Sequence, residues 1–309
     1  MQQRLVIAGG SGALGQGVAN HFAMRGYDVT ILTRKIKPIS RFKQLVWNGR
    51  SVEASWGRSL KGAILLNLAG ELVDKVPTNK NVDLLASSRV EPTKTLVHAS
   101  RKFGAPKLWL QMSTLAIYGD AGSVELDETA QPASGPRQMA GVARAWEAAA
   151  SGSGSQRLAI LRTAVVLQRD TPALDRLVRI TKLFLGGRVA SGKQWVSWIH
   201  FDDFIGALEH IIGDEKIFGA IHLTSPNPVT NDALMKTLRS LLHRPWTPPT
   251  PAIAIRIGAW LLFRTDSALA LTGRRAVPAK LQKNGFDFQY PELETALKDL
   301  LSAEARSQL

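Results

Sequence analysis

The sequence predicts an α/β protein, with a doubly wound parallel sheet and a smaller, mainly helical C-terminal domain. Short apolar runs alternate with helical spacing of apolar residues over the first half of the chain, as is typical of parallel strands that helices cover on both faces. A glycine-rich turn directly follows the first apolar run. The chain has 309 residues, of which 45% are hydrophobic, and this is enough to build a sizeable core.

The first strand is predicted at residues 4–8, and the glycine turn at residues 9–15 leads into a helix on which Val18 and Phe22 recur at helical spacing. The next strand, at residues 27–32, completes a β-α-β unit. Further strands are predicted at residues 63–68, 108–112 and 158–161, and further helices at residues 82–103 and 141–150.

The pattern is looser after residue 162. Helices are predicted at residues 174–184, from 203, at 253–262 and at 292–301, and strands at 196–199 and 221–223. Four prolines between residues 245 and 251 indicate a linker. We therefore expect one domain at residues 1–170, its sheet completed by about residues 196–224, and a smaller substrate-side and C-terminal domain at residues 171–309.

Composition excludes several classes of site. The chain contains no cysteine, which excludes disulfides, thiol catalysis and cysteine-ligated metals. The six histidines show no ligand spacing, so we predict no metal site. The longest apolar stretch, at residues 252–263, is interrupted by Arg256 and falls short of the roughly 20 residues that span a membrane. The chain begins directly with a strand pattern, so we expect a cytoplasmic protein with no membrane partner.

The formal net charge of +14 indicates a polyanionic partner, such as nucleic acid, an acidic membrane surface or a phosphorylated small molecule. More than half of this charge lies in residues 1–62, where ten Lys or Arg face only Asp28 and Glu53. No interleaving of aromatic and basic residues and no helix-turn-helix pattern accompanies it, so we expect no specific nucleic-acid partner.

The glycine turn has the spacing Gly9-x-x-Gly12-x-x-Gly15 between a predicted strand and a predicted helix. The first glycine permits the tight turn, the second lets backbone N–H groups approach a pyrophosphate, and the third lets the helix pack closely on the strand. With Ser11 and Leu14 between them, these residues are the predicted contacts to a dinucleotide cofactor.

The end of the second strand distinguishes the two nicotinamide dinucleotides. An acidic residue there would bind the ribose hydroxyl, whereas a cation accommodates a 2′-phosphate. The sequence has Thr33-Arg34-Lys35, so we predict NADP(H), with Arg34 on the phosphate and Thr33 or Lys35 in support. For Lys37 and the basic residues after it, a solvated loop remains the alternative interpretation.

Together these residues resemble the extended short-chain dehydrogenase/reductases, which have a Rossmann-like sheet, and more closely the epimerase-family proteins with an added C-terminal domain of unknown function. Further motifs that carry the resemblance are Asn67-Leu68-Ala69-Gly70-Glu71, Ser88-Arg89-Val90, Tyr118-Gly119-Asp120, Arg144-Ala145-Trp146-Glu147, Leu161-Arg162-Thr163, Trp198-Ile199-His200 and Val277-Pro278-Ala279-Lys280-Leu281. The resemblance implies an NADP(H) site that includes Thr33, Arg34, Leu68, Ala69, Gly70, Arg89 and, near the nicotinamide, Val166.

The superfamily's catalytic Tyr-x-x-x-Lys pair is missing. Counting back from Tyr118, the superfamily's Ser or Thr falls on Thr114, with Ser113 adjacent, and either is a candidate to orient a substrate hydroxyl. Counting forward, the tyrosine position holds Met139 and the lysine position holds Ala143. Neither side chain can transfer a proton.

Other residues are candidates for the substrate side. Tyr118 is the best-placed phenol, although it is also a common packing residue. His200 is either a general base or a structural residue beside an Asp that caps the next helix. Arg162 either reaches substrate or holds a loop, and the segment that includes Gln194 and Trp198 is either a lip for an anionic or sugar-like ligand or a solvated turn.

Two functions follow from these residues. The first is an NADP(H)-dependent oxidoreductase or epimerase that acts on a small anionic, phosphorylated or nucleotide-linked substrate. The alternative is a non-catalytic NADP(H)-binding sensor or scaffold that contacts a protein partner through its C-terminal domain. The apolar residues Trp260, Leu261, Leu262 and Phe263 would offer a face for that partner, unless they are ordinary core.

Overall fold

The computed structural model describes residues 2–73, 75–261 and 265–302. Its strands are β1 (Arg4–Ala8), β2 (Asp28–Thr33), β3 (Lys43–Val46), β4 (Ile64–Asn67), β5 (Leu108–Thr114), β6 (Glu125–Leu126), β7 (Leu158–Thr163), β8 (Val165–Leu167), β9 (Trp195–Val196), β10 (Trp198–His200), β11 (Gly219–Leu223), β12 (Val229–Thr230) and β13 (Arg275–Ala276). Its α-helices are α1 (Ala13–Met24), α2 (Ala54–Gly57), α3 (Asn79–Phe103), α4 (Val142–Ala149), α5 (Pro172–Lys182), α6 (Phe201–Gly213), α7 (Asn231–Leu241), α8 (Ala252–Leu261), α9 (Ala268–Leu271), α10 (Ala279–Lys283) and α11 (Leu293–Ser302).

The main sheet has seven parallel strands in the order β3-β2-β1-β4-β5-β7-β11. This confirms the predicted α/β fold with a Rossmann-like, doubly wound sheet. The strand order reverses between β1 and β4, and in such sheets the ligand crevice opens at the carboxyl ends of the strands at this point.

Two hydrophobic clusters cover the two faces of the sheet. Along β1, Leu5 and Ile7 pack into one cluster with α1 and α6, whereas Val6 and Ala8 pack into the other with α2 and α3. Because successive side chains of a strand point to opposite faces, a strand covered on both sides is apolar throughout. This is the physical reason for the near-continuous apolar runs in the sequence.

Two parts of the sheet differ from the prediction. Strand β3 forms one edge, and the sequence analysis did not predict it because two of its four residues are polar and none is buried. Of the segment 196–224 that was expected to complete the sheet, only β11 joins it, beside β7. Strand β9 pairs with β12 and β10 pairs with β8, and each pair is a separate small sheet.

The C-terminal region is mainly helical and returns to the sheet domain. Helix α11 packs with α5 and α7 in a third hydrophobic cluster, and β13 pairs with β6. The predicted linker is tied to an earlier segment of the chain, since Thr250 pairs with Val189. The side chains of Trp260 and Leu261, and all of residues 262–264, lie outside the described residues. Within the described ranges, no helix is both long and apolar enough to cross a membrane.

Candidate functional site

The glycine turn after β1 lies directly against the end of β4. Gly9 has a φ of +78°, which favours glycine, and a Cβ there would lie 2.9 Å from the backbone nitrogen of Ala69. A Cβ on Gly15 would lie 2.6 Å from the Cα of Gly10, so this glycine lets α1 approach the turn. The turn and the end of β4 are therefore in backbone contact at the switch point of the sheet.

The N-terminus of α1 is open to a ligand. Gly12 is its N-cap, no side chain caps it, and its first turn has no acidic residue. A Cβ on Gly12 would meet only the carbonyl oxygen of Gly9, at 3.9 Å. Unpaired N–H groups and the positive end of the helix dipole favour an anion here. The neighbouring Ser11 is exposed, whereas Leu14 packs against the core.

Basic side chains flank this turn at the end of β2. The Arg34 side chain is 82% exposed, and its Nη1 lies 3.9 Å from Glu71 Oε1. The Nζ of Lys37 donates to the carbonyl oxygen of Ser11 at 3.4 Å. Thr33 is buried, and its hydroxyl bonds the backbone of Lys35, which shapes the turn. Lys37 therefore joins Arg34 beside the glycine turn, although its sequence position alone did not distinguish it from a solvated loop.

The loop after β4 is fixed by buried polar groups. The Asn67 side chain accepts a hydrogen bond from the Ala69 N–H at 3.2 Å. The guanidinium of Arg89 donates to the carbonyl oxygens of Glu71 at 2.8 Å and Leu85 at 3.1 Å. Burial lowers the pKa of Arg89 to about 10, which still leaves it charged near neutral pH.

Arg89 also constrains the two remaining residues of the predicted cofactor loop. A Cβ on Gly70 would lie 3.1 Å from the Arg89 side chain. Leu68 is half buried against the core. Val166, the residue expected near a nicotinamide, is half buried in β8, where it pairs with Ile199 of β10. Arg89 therefore acts by holding the loop that carries Leu68 to Gly70.

An ion pair joins the ends of β5 and β7 to α4. Glu147 accepts hydrogen bonds from Arg162 Nε and Nη2, both at 3.0 Å, and from the Ser113 hydroxyl at 2.6 Å. The side chains of Arg162 and Glu147 are 9% and 16% exposed. Arg162 and Ser113 therefore serve this interior network, and Ser113 has its hydroxyl directed at a carboxylate of the protein.

Tyr118, which the sequence suggested as the best-placed phenol or else a packing residue, lies inside the same network. Its side chain is only 4% exposed, and its hydroxyl oxygen accepts from Arg162 Nη1 at 2.7 Å. The hydroxyl donates to His222 Nε2 at 2.6 Å, because His222 Nδ1 is bonded to the carbonyl oxygen of Val277 at 3.0 Å. Burial raises the pKa of Tyr118. This hydroxyl links the turn after β5 to β7 and β11, so its hydrogen-bond partners belong to the protein and not to a substrate.

The acid-base positions of the superfamily are apolar in this structure. Met139 lies in a turn of π-helix before α4, Ala143 lies one turn further, and both are buried. Thr114 is half buried, and its hydroxyl oxygen accepts from the Ala116 N–H at 3.2 Å. Among the described residues, no acceptor is found for the hydroxyl hydrogen of Thr114. The guanidinium of Arg274, from the C-terminal domain, lies 3.2 Å from Met139 Sδ.

Two residues expected on the substrate side are interior instead. His200 Nδ1 accepts from the Asp202 N–H at 3.1 Å, so the histidine itself caps α6, and its ring stacks on Tyr290 with 3.9 Å between centroids. The next acid, Asp203, accepts from the backbone N–H groups of residues 289 and 290 and does not cap the helix. Trp198 is fully buried and donates to the carbonyl oxygen of Asn227.

Gln194 joins two segments of the C-terminal half of the chain rather than forming an open lip. Its amide donates to the carbonyl oxygens of Val189 at 3.1 Å and Ala270 at 2.9 Å. A loop rich in glycine and aromatic residues was the local basis for predicting Gln194, Trp198 and His200 on the substrate side. The structure uses that loop to join β9, β10 and the C-terminal region.

Sequence reasoning missed Glu147, His222 and Arg274. Glu147 lies two helical turns after Met139, so it belongs to the same side of the helical segment, and this spacing was a usable signal. His222 meets Tyr118 across 104 residues of chain, and Arg274 meets Met139 across 135. No local pattern encodes contacts at such separations.

We predict that His222 makes the protein less stable in acid. Burial lowers the pKa of its imidazole from 6.5 to about 4. The unfolded chain therefore binds a proton more readily than the folded one, and this favours unfolding as the pH falls from the unfolded value towards the folded one. We expect the free energy of unfolding to fall by about 2 kcal/mol between about pH 7 and pH 5 on account of this group.

The measurement is urea unfolding at both pH values for the natural protein and for His222→Gln. Glu128, whose pKa is raised by burial, acts in the opposite direction, and it is common to both proteins. The difference between the two pH slopes isolates the histidine. Equal slopes would contradict the prediction.

Comparison with known proteins identifies the family of this chain. Residues 5–218 match the NAD dependent epimerase/dehydratase family, and residues 250–300 match a domain of unknown function (DUF1731). The epimerase family protein SDR39U1 of Homo sapiens is 29% identical over 304 residues, which cover 97% of this chain and 100% of the human one. The chloroplastic homolog of Arabidopsis thaliana is 27% identical over 97% of this chain and 87% of its own.

Solved structures of epimerase-family proteins are also similar to this chain. The crystal structure of human SDR39U1 with NADPH has a TM-score of 0.85 at 27% identity and covers 97% of this chain and 99% of its own. NADPH is the form of the cofactor that Thr33-Arg34-Lys35 predicts. A nucleoside-diphosphate sugar epimerase from Corynebacterium glutamicum has a TM-score of 0.76 at 28% identity and covers all of this chain and 61% of its own. The resemblance stated from the sequence is confirmed: this chain belongs to the NAD dependent epimerase/dehydratase family and carries the added C-terminal domain.

Proposed function

We propose that this chain binds NADP(H) in the crevice between β1 and β4 and is an oxidoreductase or epimerase that acts on a small anionic or nucleotide-linked substrate. The observation that carries the proposal is the uncapped N-terminus of α1, which has open space at Gly12 and the cations Arg34 and Lys37 beside it. In this proposal residues 1–170 with β11 hold the cofactor, and residues 171–309 contribute the substrate side. The expectation of a cytoplasmic protein stays a prediction.

The described residues fit the parts of the cofactor. The backbone N–H groups of the turn from Gly9 to Gly15 would hold the pyrophosphate. Arg34 and Lys37 would hold the 2′-phosphate, and the loop that Arg89 fixes would line the adenine-side ribose. When bound, NADP(H) supplies or accepts a hydride.

Of the predicted catalytic residues, Thr114 retains a role in this proposal. It lies at the carboxyl end of β5, and its hydroxyl hydrogen, which has no acceptor among the described residues, would donate to a substrate oxygen. Met139 and Ala143 have no proton to transfer. Ser113 and Tyr118 are committed to Glu147 and His222. We therefore assign proton transfer to water in the crevice, with Thr114 orienting the substrate.

The cofactor proposal predicts a selective effect of Arg34→Ala. Loss of an exposed cation that binds the 2′-phosphate should raise the Kd for NADPH about tenfold and leave the Kd for NADH unchanged. The measurement is titration of the full chain with each dinucleotide, followed by nicotinamide fluorescence. Arg41→Ala is the matched control, because Arg41 is an exposed cation of the same loop that bonds Asn20. An equal loss for both dinucleotides would show that Arg34 does not contact the phosphate.

A non-catalytic NADP(H)-binding sensor or scaffold is the second candidate. The observation that favours it is the pair of buried, apolar residues, Met139 and Ala143, at the acid-base positions. Stoichiometric protein loaded with NADPH or NADP⁺ should be incubated with a small-molecule extract while nicotinamide absorbance and the mass spectrum are followed. A redox change or a new metabolite would support the enzyme. Tight cofactor binding with neither signal would support the sensor.

A further inference from the structure

We propose that Arg274 forms an anion-binding subsite beside Met139, and that the substrate carries a carboxylate or phosphate group at this position. The proposal deepens the proposed function, because it takes the crevice beside Met139 to be the substrate site. It assigns to the C-terminal domain a direct part in substrate recognition.

The backbone around Arg274 is held firmly against the sheet domain. Arg274 immediately precedes β13, which pairs with β6. The N–H of Gly273 donates to Asp120 Oδ1 at 3.0 Å, and any side chain at Gly273 would clash with the backbone of Trp195. The backbone on both sides of Arg274 therefore fixes the position of this residue against the sheet domain.

The partners of this guanidinium are neutral. Its Nε donates to the carbonyl oxygen of Gly119 at 2.6 Å, and its Nη2 lies 3.2 Å from Thr272 Oγ1 and 3.2 Å from Met139 Sδ. Among the described residues, neither a carboxylate in ion-pair contact with Arg274 nor an acceptor for its Nη1 is found. Burial lowers the pKa of Arg274, and the charge of Asp120 opposes this only in part.

Other arginines enclosed in the fold have different partners. Arg162 has the carboxylate of Glu147. Arg275, the next residue along the chain, pairs with Glu125 at 3.0 Å and stacks on Trp195 at 4.9 Å, although its buried Nε has no acceptor among the described residues. Arg89 has no carboxylate, but its guanidinium donates to two carbonyl oxygens and the Ser88 hydroxyl. Arg274 is half buried, and its Nη1 is not enclosed, so a small anion from solvent can reach this unused donor.

The position of Arg274 beside Met139 suggests a role for this cation. Met139 stands where the related reductases place their catalytic tyrosine, and Ala143 stands where they place the lysine that supplies positive charge. The contact between Arg274 and Met139 therefore brings a cation from another part of the chain beside the tyrosine position. A planar guanidinium recognises a carboxylate or phosphate through paired hydrogen bonds, so the substrate class is a small molecule with such a group close to the reacting carbon.

The test measures binding of acetate and of inorganic phosphate to the full chain, with and without saturating NADPH. The readout is titration of the arginine side-chain N–H resonances. The variants are Arg274→Gln, which keeps a donor but no charge, and the matched control Arg275→Gln. We expect Arg274→Gln to weaken binding of at least one anion about tenfold or more and Arg275→Gln to leave it unchanged. The two probes distinguish a carboxylate from a phosphate substrate.

A second pair of variants keeps the test decisive if Arg274→Gln does not fold. Met139→Glu places a carboxylate beside Arg274 and should abolish anion binding, whereas the isosteric Met139→Gln should retain it. Absence of saturable anion binding to the natural protein, or equal binding by Arg274→Gln, would overturn the proposal. Anion binding that depends on Arg274 in a protein that fails to bind NADPH would support this subsite while the proposed function fails.

Discussion

Glu147→Ala is expected to lower the free energy of unfolding by about 3–5 kcal/mol, because it leaves the enclosed guanidinium of Arg162 without its counter-charge. The substitution also removes the acceptor of the Ser113 hydroxyl. Arg162 remains bonded only to the Tyr118 hydroxyl among its side-chain partners in the described structure. The measurement is urea unfolding at neutral pH.

A matched control uses an ion pair of the same type on the surface. Glu91 pairs with Arg50 at 3.1 Å, and these side chains are 47% and 77% exposed. Glu91→Ala should change stability by less than about 1 kcal/mol, since water screens such a pair. The double variant Glu147→Ala with Arg162→Met should recover part of the loss, because it removes the uncompensated charge. A loss for Glu147→Ala as small as that for Glu91→Ala would contradict the network described here.

Gly12→Asp should weaken NADPH binding about a hundredfold or more without destabilising the fold. Gly12 is the N-cap of α1 with extended backbone, at φ −77° and ψ 169°, and a side chain there meets open space. An Asp at this position would cap the helix and stabilise it by about 0.3 kcal/mol, since Gly is itself a tolerated N-cap. The same carboxylate would take the N–H groups that the pyrophosphate needs and would repel its charge. Fluorescence titration with NADPH and urea unfolding measure the two effects separately.

Thr171→Asp is the matched control for this prediction. Thr171 is the N-cap of α5 and makes no side-chain capping bond, so the substitution adds the same charge to another uncapped helix. It should leave the Kd for NADPH unchanged. Gly9→Ala would not serve as a test, because the positive φ of Gly9 and the contact with Ala69 make that change destabilising by itself. Unaltered NADPH binding by Gly12→Asp would refute the placement of the pyrophosphate.

The sheet could be predicted from the sequence because its signals are local. Strands β1, β2, β4, β5 and β7 are buried on both faces and are nearly continuous apolar runs. Strand β3 carries no such signal, since its pairing with β2 leaves it at an edge. The short strands β9 and β10 were predicted to complete the main sheet, because an apolar run does not indicate which strand it pairs with.

The cofactor half of the candidate site could be anticipated for the same reason. The glycine turn and the basic residues after β2 are consecutive in sequence, and their roles follow from local backbone geometry. The network around Arg162, where catalytic residues were sought, is built partly from contacts across more than 100 residues, such as Tyr118 with His222. The ordinary acid-base chemistry of a tyrosine or a histidine suggested catalytic roles. Burial and hydrogen-bond partners decide those roles, and both come from tertiary structure.

The packing of α11 on α7 has a consequence for biosynthesis. Leu234 and Leu238 of α7 share one core with Leu297 and Leu300 of α11. The seven-stranded sheet is complete once β11 has left the ribosome, whereas the part of α7 that α11 covers stays exposed until residues near 300 emerge. During that interval the nascent chain exposes an apolar surface, which is a target for chaperones and proteases. Premature release of the chain before α11 would therefore yield a folded sheet domain attached to an aggregation-prone remainder.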